Sequence, residues 1–142
     1  MKPTPPGWPQ ISSALYYDDA AAAIRWLCDA FGFDVRIKIE GEGGRIEHSE
    51  LTFGTGVVMV AQAGAARAPF WRSPASLDGA NTQTLFAYVD DVDAHFARAK
   101  AAGAKVMREP TDVDYGAEYW SDRGYECVDP GGHHWYFAQR LR

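Results

Sequence analysis

The sequence of 142 residues is poor in cysteine, in basic residues and in long apolar runs, and each shortage argues against a class of protein. Two isolated cysteines, Cys28 and Cys127, make no metal-ligand spacing, so we expect free, buried thiols. The formal net charge is −5 and no basic stripe is present, which argues against a nucleic-acid or anionic-membrane partner. No apolar run approaches the roughly 18 residues that span a bilayer.

The N-terminal segment MKPTPPGWPQ also lacks the apolar core of a secretory signal. We therefore expect no export and a cytoplasmic location. Apolar residues make up 46% of the chain and aromatic residues 13%, which is enough for a folded core. At roughly 100–200 residues per domain, this length allows one compact unit or two very small ones.

The chain contains an internal repeat, which resolves that choice. The segment YYDDAAAAIRWLCDAFGF from Tyr16 matches YVDDVDAHFARAKAAGAK from Tyr88, with an offset of about 72 residues. Further on, LTFGTGVVMVAQ from Leu51 aligns with CVDPGGHHWYFAQ from Cys127, with an offset of about 76 residues. Because the matching elements follow in the same order, two similar modules are predicted.

The residue pattern of each half predicts a short strand, then a helix capped by one of two aspartates, and then three further strands. The apolar spacing places the helices at about residues 19–30 and 91–102, and Gly32 and Gly103 stand where a left-handed C-cap belongs. The predicted organisation is α+β, with a first module over about 11–63, a linker over about 64–81 and a second module over about 82–140.

Three segments carry a resemblance to a known family. The two strand-to-helix passages and the segment WSDRGYECVDPGGHHWYF resemble the vicinal oxygen chelate superfamily, which groups glyoxalases, bleomycin-resistance proteins and dioxygenases. The resemblance implies two tandem βαβββ modules that form a curved mixed-sheet cup, the glyoxalase-like fold. In the turn DPGGH, we expect the Asp129 side chain to bond the backbone two residues on, in a structural role.

The resemblance also implies where a metal would be bound. Counted along each module, the four family ligand positions are occupied by Ser12, Val60, Thr84 and Tyr136, a set that predicts no metal and no cofactor. The chain is thus similar to the metal-free, bleomycin-resistance-like members. Those proteins bind an aromatic ligand between subunits, which implies a small-molecule ligand and a homodimer.

Strand alternation predicts which side chains line the cup. The candidate ligand-binding residues combine a mostly aromatic wall with two residues of the rim before the penultimate strand: Tyr16, Val58, Val60, Phe86, Tyr88, His134 and Tyr136, with Trp120 and Arg123 at the rim. These aromatics could equally fill the cup as core, and Arg123 could instead pair with Asp122 or Asp129. A polar-aromatic loop that includes Asp112, Asp114 and Tyr119 is a candidate lid.

His48 and Glu50 share a strand face, and Glu126 repeats Glu50 in the second module, which makes these three residues candidates for acid–base catalysis. A solvent-facing charged strand is the alternative. His95 lies in a helix among polar residues, where a surface role is expected. The leading hypothesis is a metal-free protein that binds a small aromatic or apolar molecule. The alternatives are a metal-dependent lyase, isomerase or dioxygenase using His48, Glu50, Glu126 and His134, and a non-catalytic structural or regulatory module.

Overall fold

The computed structural model describes residues 1–142 and contains eight strands and two α-helices. The first module comprises β1 (Ser13–Tyr17), α1 (Ala20–Phe31), β2 (Asp34–Glu40), β3 (Ile46–Phe53) and β4 (Gly56–Gln62). The second comprises β5 (Thr84–Tyr88), α2 (Val92–Ala101), β6 (Lys105–Asp114), β7 (Ser121–Val128) and β8 (His134–Arg140). Short 3-10 helices occur at Glu42–Gly44 and Pro74–Leu77.

The two modules have the same sheet topology. The first sheet has the strand order β1-β4-β3-β2 and the second β5-β8-β7-β6. In each sheet the first and last strands of the module pair in parallel, and the other pairs are antiparallel. The predicted α+β fold of two βαβββ modules is therefore confirmed, and the two mixed sheets remain unclosed.

Both helices begin at the second aspartate of their pair. The side chains of Asp19 and Asp91 each accept a hydrogen bond from the backbone amide three residues on, at 3.0 and 2.9 Å. Gln62 and Gln139, at the ends of β4 and β8, accept from the first amide of the same helices. Gly32 ends α1 with a φ of 83°, in the left-handed region that glycine enters without strain.

One hydrophobic core is shared by the two modules. The ring of Phe31, at the end of α1, packs 5.2 Å from the ring of Trp135 and 4.7 Å from that of Phe137, both on β8. Phe33 and Phe53 of the first module also pack against these rings. The helix-bearing faces of both sheets thus bury their apolar side chains together, as small modules require.

The helices support each other at their C-terminal ends. Arg98 of α2 donates to the backbone oxygens of Cys28 and Asp29, which lie in the last turn of α1. Trp26 of α1 donates in return to the backbone oxygen of Ala102, just beyond α2, at 2.8 Å. Side chains of each module thus bind carbonyl oxygens at the helix end of the other module.

His95 does not have the surface role expected from its neighbours in the sequence. Its Nε2 donates to the backbone oxygen of Phe31 at 2.9 Å, and its Nδ1 lies 2.7 Å from the hydroxyl of Tyr125. The ring packs 4.3 Å from that of Phe137. The expectation was wrong because these partners lie in other elements, about 30 to 60 residues away along the chain. Burial lowers the pKa of His95.

Asp129 in the turn between β7 and β8 joins the two modules. One carboxylate oxygen accepts from the Tyr17 hydroxyl at 2.6 Å and from the Trp135 indole at 2.9 Å. The other accepts from the backbone amides of Gly131 and His133 at 2.9 and 3.0 Å. The expected bond two residues on is present, and the bond from Tyr17 adds a link to β1. Burial and Asp129 together raise the pKa of Tyr17, so its hydroxyl stays a donor.

The segment expected to be a lid begins as strand and continues as a short loop. β6 continues to Asp114, so Asp112 and Asp114, which were expected in the loop, pair with β7. Only residues 115–120 form the loop. Two register shifts in β6, before and after Arg108, take up the irregular stretch that contains Pro110. Because proline cannot donate to a ladder, this stretch resembles a loop in sequence.

Cys127 is buried, Cys28 is half-buried, and both are free. Burial raises the pKa of the Cys127 thiol to about 12.

Neither helix is long and apolar enough to cross a membrane.

Replacing Asp129 by alanine is expected to lower the free energy of unfolding by about 3 kcal/mol or more, because four donors, three of them buried, lose one charged acceptor. Urea denaturation followed by circular dichroism measures the loss. Asp112→Ala is the matched control: it removes an exposed carboxylate paired with Arg123 and is expected to cost about 1 kcal/mol or less. Equal effects of the two substitutions would contradict the role assigned to Asp129.

The half-buried His95 should make the free energy of unfolding fall at acid pH. Because its folded-state pKa lies below the ordinary 6.5, the unfolded chain binds the extra proton first. The contribution of neutral His95 is therefore present above about pH 6.5 and is lost as the pH falls toward the folded-state pKa. In His95→Gln, urea midpoints measured between about pH 7.5 and 5 should fall less steeply than in the native protein. Parallel profiles would show that His95 does not carry this dependence.

Candidate functional site

Each sheet has one face turned away from its helix, which we call its open face. Residues directly paired across strands point to the same side of a sheet, so the pairing defines these faces. On the first sheet the open face carries Ala14, Tyr16, Ile37, His48, Glu50 and Met59. On the second sheet it carries Phe86, Tyr88, Asp122, Glu126, His134 and Tyr136.

The second open face has an aromatic surface. The rings of Phe86 and Tyr136 stack with their centroids 4.8 Å apart and an interplanar angle of 13°. Tyr88 packs edge-on against Phe86 at 5.1 Å. The Tyr136 ring lies over the backbone of Gly124, where an added Cβ would come within 2.6 Å of its hydroxyl. Phe86 is 52% exposed and Tyr88 47% exposed, so a flat apolar surface is available to a ligand.

A buried carboxylate lies beside this aromatic surface. Asp122 is 1% exposed, and one of its oxygens accepts from the Tyr88 hydroxyl at 2.9 Å. The other oxygen is buried without a hydrogen-bond partner. Burial, followed by the bond to Asp122, raises the pKa of Tyr88. Its hydroxyl is thus a donor at neutral pH and cannot act as a base.

The first open face carries a polar group instead. The Nε2 of His48 lies 3.1 Å from one oxygen of Glu50, which is 6% exposed. The other Glu50 oxygen lies 3.3 Å from Nε of Arg36, close enough for an ion pair although the geometry does not make a hydrogen bond. His48 and Glu50, predicted as acid–base candidates, are therefore brought together. The open face therefore presents an imidazole and a carboxylate side by side.

The pairing of arginine with glutamate occurs in both modules. Arg36 pairs with Glu50, and Arg108 pairs with Glu126 at 3.4 Å, in equivalent places on the two sheets. Sequence analysis missed both arginines, although the offset of about 72 residues that relates the modules places Arg36 onto Arg108. The Arg108 guanidinium also lies over the Tyr136 ring, 5.2 Å from its centroid.

Two flanking segments partly cover the first open face. Trp71 of the linker stacks on Tyr16 with centroids 4.8 Å apart, above a cavity of about 280 Å³ that His133 also lines. The N-terminal arm, residues 1–10, lies near β2. Arg36 of that strand donates to the backbone oxygen of Pro6 and lies 5.9 Å from the Trp8 ring. A second cavity of about 480 Å³ lies where the arm passes Phe86.

Val58 and Val60 were expected in the cup, and the structure places both in the hydrophobic core. The pairing of Glu50 with Met59 corresponds to that of Glu126 with Tyr136, so Met59 occupies the position that counting assigned to Val60. Counting residues from the turn glycine failed because the two turns differ in length. Two residues separate the last paired residues of β3 and β4, whereas five separate those of β7 and β8. A difference of one residue reverses the face of a strand.

Arg123 also lies elsewhere than expected. Its guanidinium binds Asp93 on α2 and Asp112 on β6, at 3.0 and 2.9 Å, on the helix side of the second sheet. It pairs with neither Asp122 nor Asp129. The other predicted residues of the second module are on or beside its open face. Glu126 and His134 lie on the two central strands of the sheet, β7 and β8. Trp120 lies in the 115–120 loop, with Arg140 over its ring.

The residues at the family's metal positions do not fit a divalent metal. With the corrected register these are Ser12, Met59, Thr84 and Tyr136, which offer hydroxyl groups and a thioether. The Ser12 hydroxyl is already used as a donor to the backbone oxygen of Val57 at 2.6 Å. The alternative set divides between the sheets, with His48 and Glu50 on one and Glu126 and His134 on the other. No three acidic, histidine or cysteine side chains are grouped to hold a metal.

Comparison with known proteins gives matches over nearly the whole chain. The sequence profile of the Glyoxalase/Bleomycin resistance protein/Dioxygenase superfamily matches residues 10–137. Uncharacterized protein Mb0911c of Mycobacterium bovis is 35% identical over 138 residues, which cover 94% of this chain and 85% of that protein.

Solved structures give matches of similar extent. The crystal structure of TioX from Micromonospora sp. ML1 has a TM-score of 0.70 at 32% identity, covering 94% of this chain and 99% of that one. TnmS3, described as an antibiotic binding protein from Streptomyces sp. CB03234, has a TM-score of 0.64 at 20% identity. That match covers 92% of this chain and 93% of TnmS3.

Proposed function

The chain belongs to the glyoxalase/bleomycin resistance protein/dioxygenase superfamily, and we propose that it binds a small planar aromatic molecule between the open faces of two copies. Binding would need neither a metal nor a cofactor, since the residues at the metal positions do not fit one. Acid–base chemistry by His48 and Glu50, or by Glu126, would add to this role and is not required for it.

The observation that carries the proposal is the exposed stack of Phe86 on Tyr136. A buried aromatic pair is ordinary core, but this pair lies on the open face of the second sheet, with Phe86 half exposed. Aromatic rings favour offset stacking with other flat rings, which gives about 0.5–1.5 kcal/mol beyond the area that they bury. A planar ligand can therefore extend the stack.

A second copy would complete the site. The first open face carries exposed Ile37 and Ile39 at its edge, and apolar side chains of this size favour contact with another surface. If the first sheet of one copy faces the second sheet of another, His48 and Glu50 come opposite Phe86 and Tyr136. Such a pocket combines apolar walls with a few polar groups, as small-molecule sites do. Both copies contribute equally to a symmetric dimer with two such sites.

A protein of the same fold is described as binding an antibiotic. TnmS3 is described as an antibiotic binding protein, and its likeness to this chain, at 20% identity, is one of fold. The likeness supports the use of this scaffold to bind an organic ligand. It gives no information about which molecule this chain binds.

Removal of the exposed ring of the stack tests the aromatic site. Titration with the methyl ether of 2-naphthol, followed by tryptophan fluorescence and calorimetry, should show saturable binding by the native protein. Phe86→Ala should weaken the affinity about three- to tenfold, because the exposed ring of the stack is removed. Phe70→Ala, which removes an exposed ring of the linker, is the control and should leave the affinity unchanged. A loss confined to Phe70→Ala would place the ligand at the linker cavity and contradict the proposed site.

The oligomeric state in solution tests the shared site. Light scattering coupled to size exclusion should give a mass about twice the 15.7 kDa of one chain. Ile39→Glu places a charge on the open face and should give monomers that no longer bind the naphthyl ether, because the cup then lacks its second wall. Lys38→Gln, one residue away on the other side of β2, should remain dimeric. A native protein that is monomeric while it binds the ether would refute the shared site.

A further inference from the structure

Asp122 is a buried carboxylate with one half of its hydrogen-bonding capacity unused. It is 1% exposed, and only one of its two oxygens has a partner, the Tyr88 hydroxyl at 2.9 Å. Buried polar atoms without partners are rare in folded proteins, since each loses its bonds to water without replacement. For a charged acceptor the cost is larger than for a neutral one.

Nearby cations do not satisfy the free oxygen. Arg140 is paired with Asp122 across the strands, but its Nε donates to the backbone oxygen of Arg142 and its guanidinium lies over the Trp120 ring. Arg108 is engaged with Glu126 and with the Tyr136 ring. The Tyr88 hydroxyl has one proton and gives it to the other oxygen. The free oxygen therefore lacks a donor that the same chain could supply.

The position of this carboxylate relates it to the aromatic surface. Tyr88, which bonds Asp122, packs edge-on against Phe86, the exposed ring of the stack, at 5.1 Å. Tyr88 therefore lies between the exposed ring and the carboxylate. Tyr88 and Tyr115 are both about half exposed, so rotation of either side chain can admit a substituent of the ligand.

We propose that the free oxygen of Asp122 accepts a hydrogen bond from the ligand, so that the aromatic molecule carries an N–H or O–H donor on its ring. This inference rests on the proposed function and narrows the ligand class. An aromatic molecule without a donor would leave the carboxylate unpartnered, and one with an acceptor at that place would be repelled by it.

Two probes of the same ring system test the proposal. At neutral pH 2-naphthol is uncharged and offers a hydroxyl donor, and its methyl ether offers none. The native protein should bind 2-naphthol about tenfold or more tightly than the ether, the ratio expected for a hydrogen bond to a charged group. Calorimetry and fluorescence titration give the two dissociation constants.

Asp122→Asn should abolish this preference or reverse it. The amide oxygen can still accept from Tyr88, and the amide NH₂ then stands where the free oxygen was, which offers a donor in place of an acceptor. Asp112→Asn makes the same change on the helix side of the second sheet and should keep the native ratio. Tyr88→Phe, which frees the second oxygen of Asp122 without changing its charge, should keep or increase the preference for 2-naphthol.

The outcomes separate this inference from the function on which it rests. If the native protein binds neither probe, the proposed aromatic site is wrong. If it binds both probes equally well, the site stands and the role of Asp122 is overturned. A preference that persists in Asp122→Asn also overturns it. If that variant does not fold, the native ratio and the Tyr88→Phe ratio decide.

Discussion

The carboxylate of Asp129 is the single group on which the arrangement of the two modules depends. It accepts two bonds that shape its own turn, a third from β8, and a fourth from Tyr17 at the end of β1. The same group therefore forms a turn in one module and binds the first strand of the other. Reciprocal contacts at the helix ends, from Arg98, Trp26 and His95, hold the modules together on the other side of the core.

With the modules held in this way, the helix-bearing faces bury the apolar residues that neither module could bury alone. The two open faces then stay outside this shared core, and they differ in the residues that they carry. Equivalent strand positions hold Ala14 and Phe86, or Met59 and Tyr136, so that the second face is aromatic where the first is small or flexible. The arginine–glutamate pair is the feature that both faces share. One face thus offers a surface for stacking and the other a polar group.

The sequence predicts the fold because the repeat can be read twice, and each half supports the interpretation of the other. It also predicts the face of Phe86, Tyr88 and Tyr136, since strand alternation from a correctly placed turn suffices. It fails for Val58 and Val60 because turn length, which decides the register, cannot be read from glycine positions alone. It fails for Arg123 and His95 because their partners lie in other elements and only the assembled core brings them near. The unpartnered oxygen of Asp122 has no signature in sequence at all.

The alternation along β5 and β8 has a consequence for how this protein can change. Leu85, Ala87, Trp135 and Phe137 hold the core, while their immediate neighbours in the chain face outward. Substitutions at the outward positions leave the packing of the inward ones in place. A lineage can therefore replace its ligand by single changes at every second residue, at little cost in stability. In β5 and β8, the inward residues keep the core constant while the outward residues can vary the surface that meets the ligand.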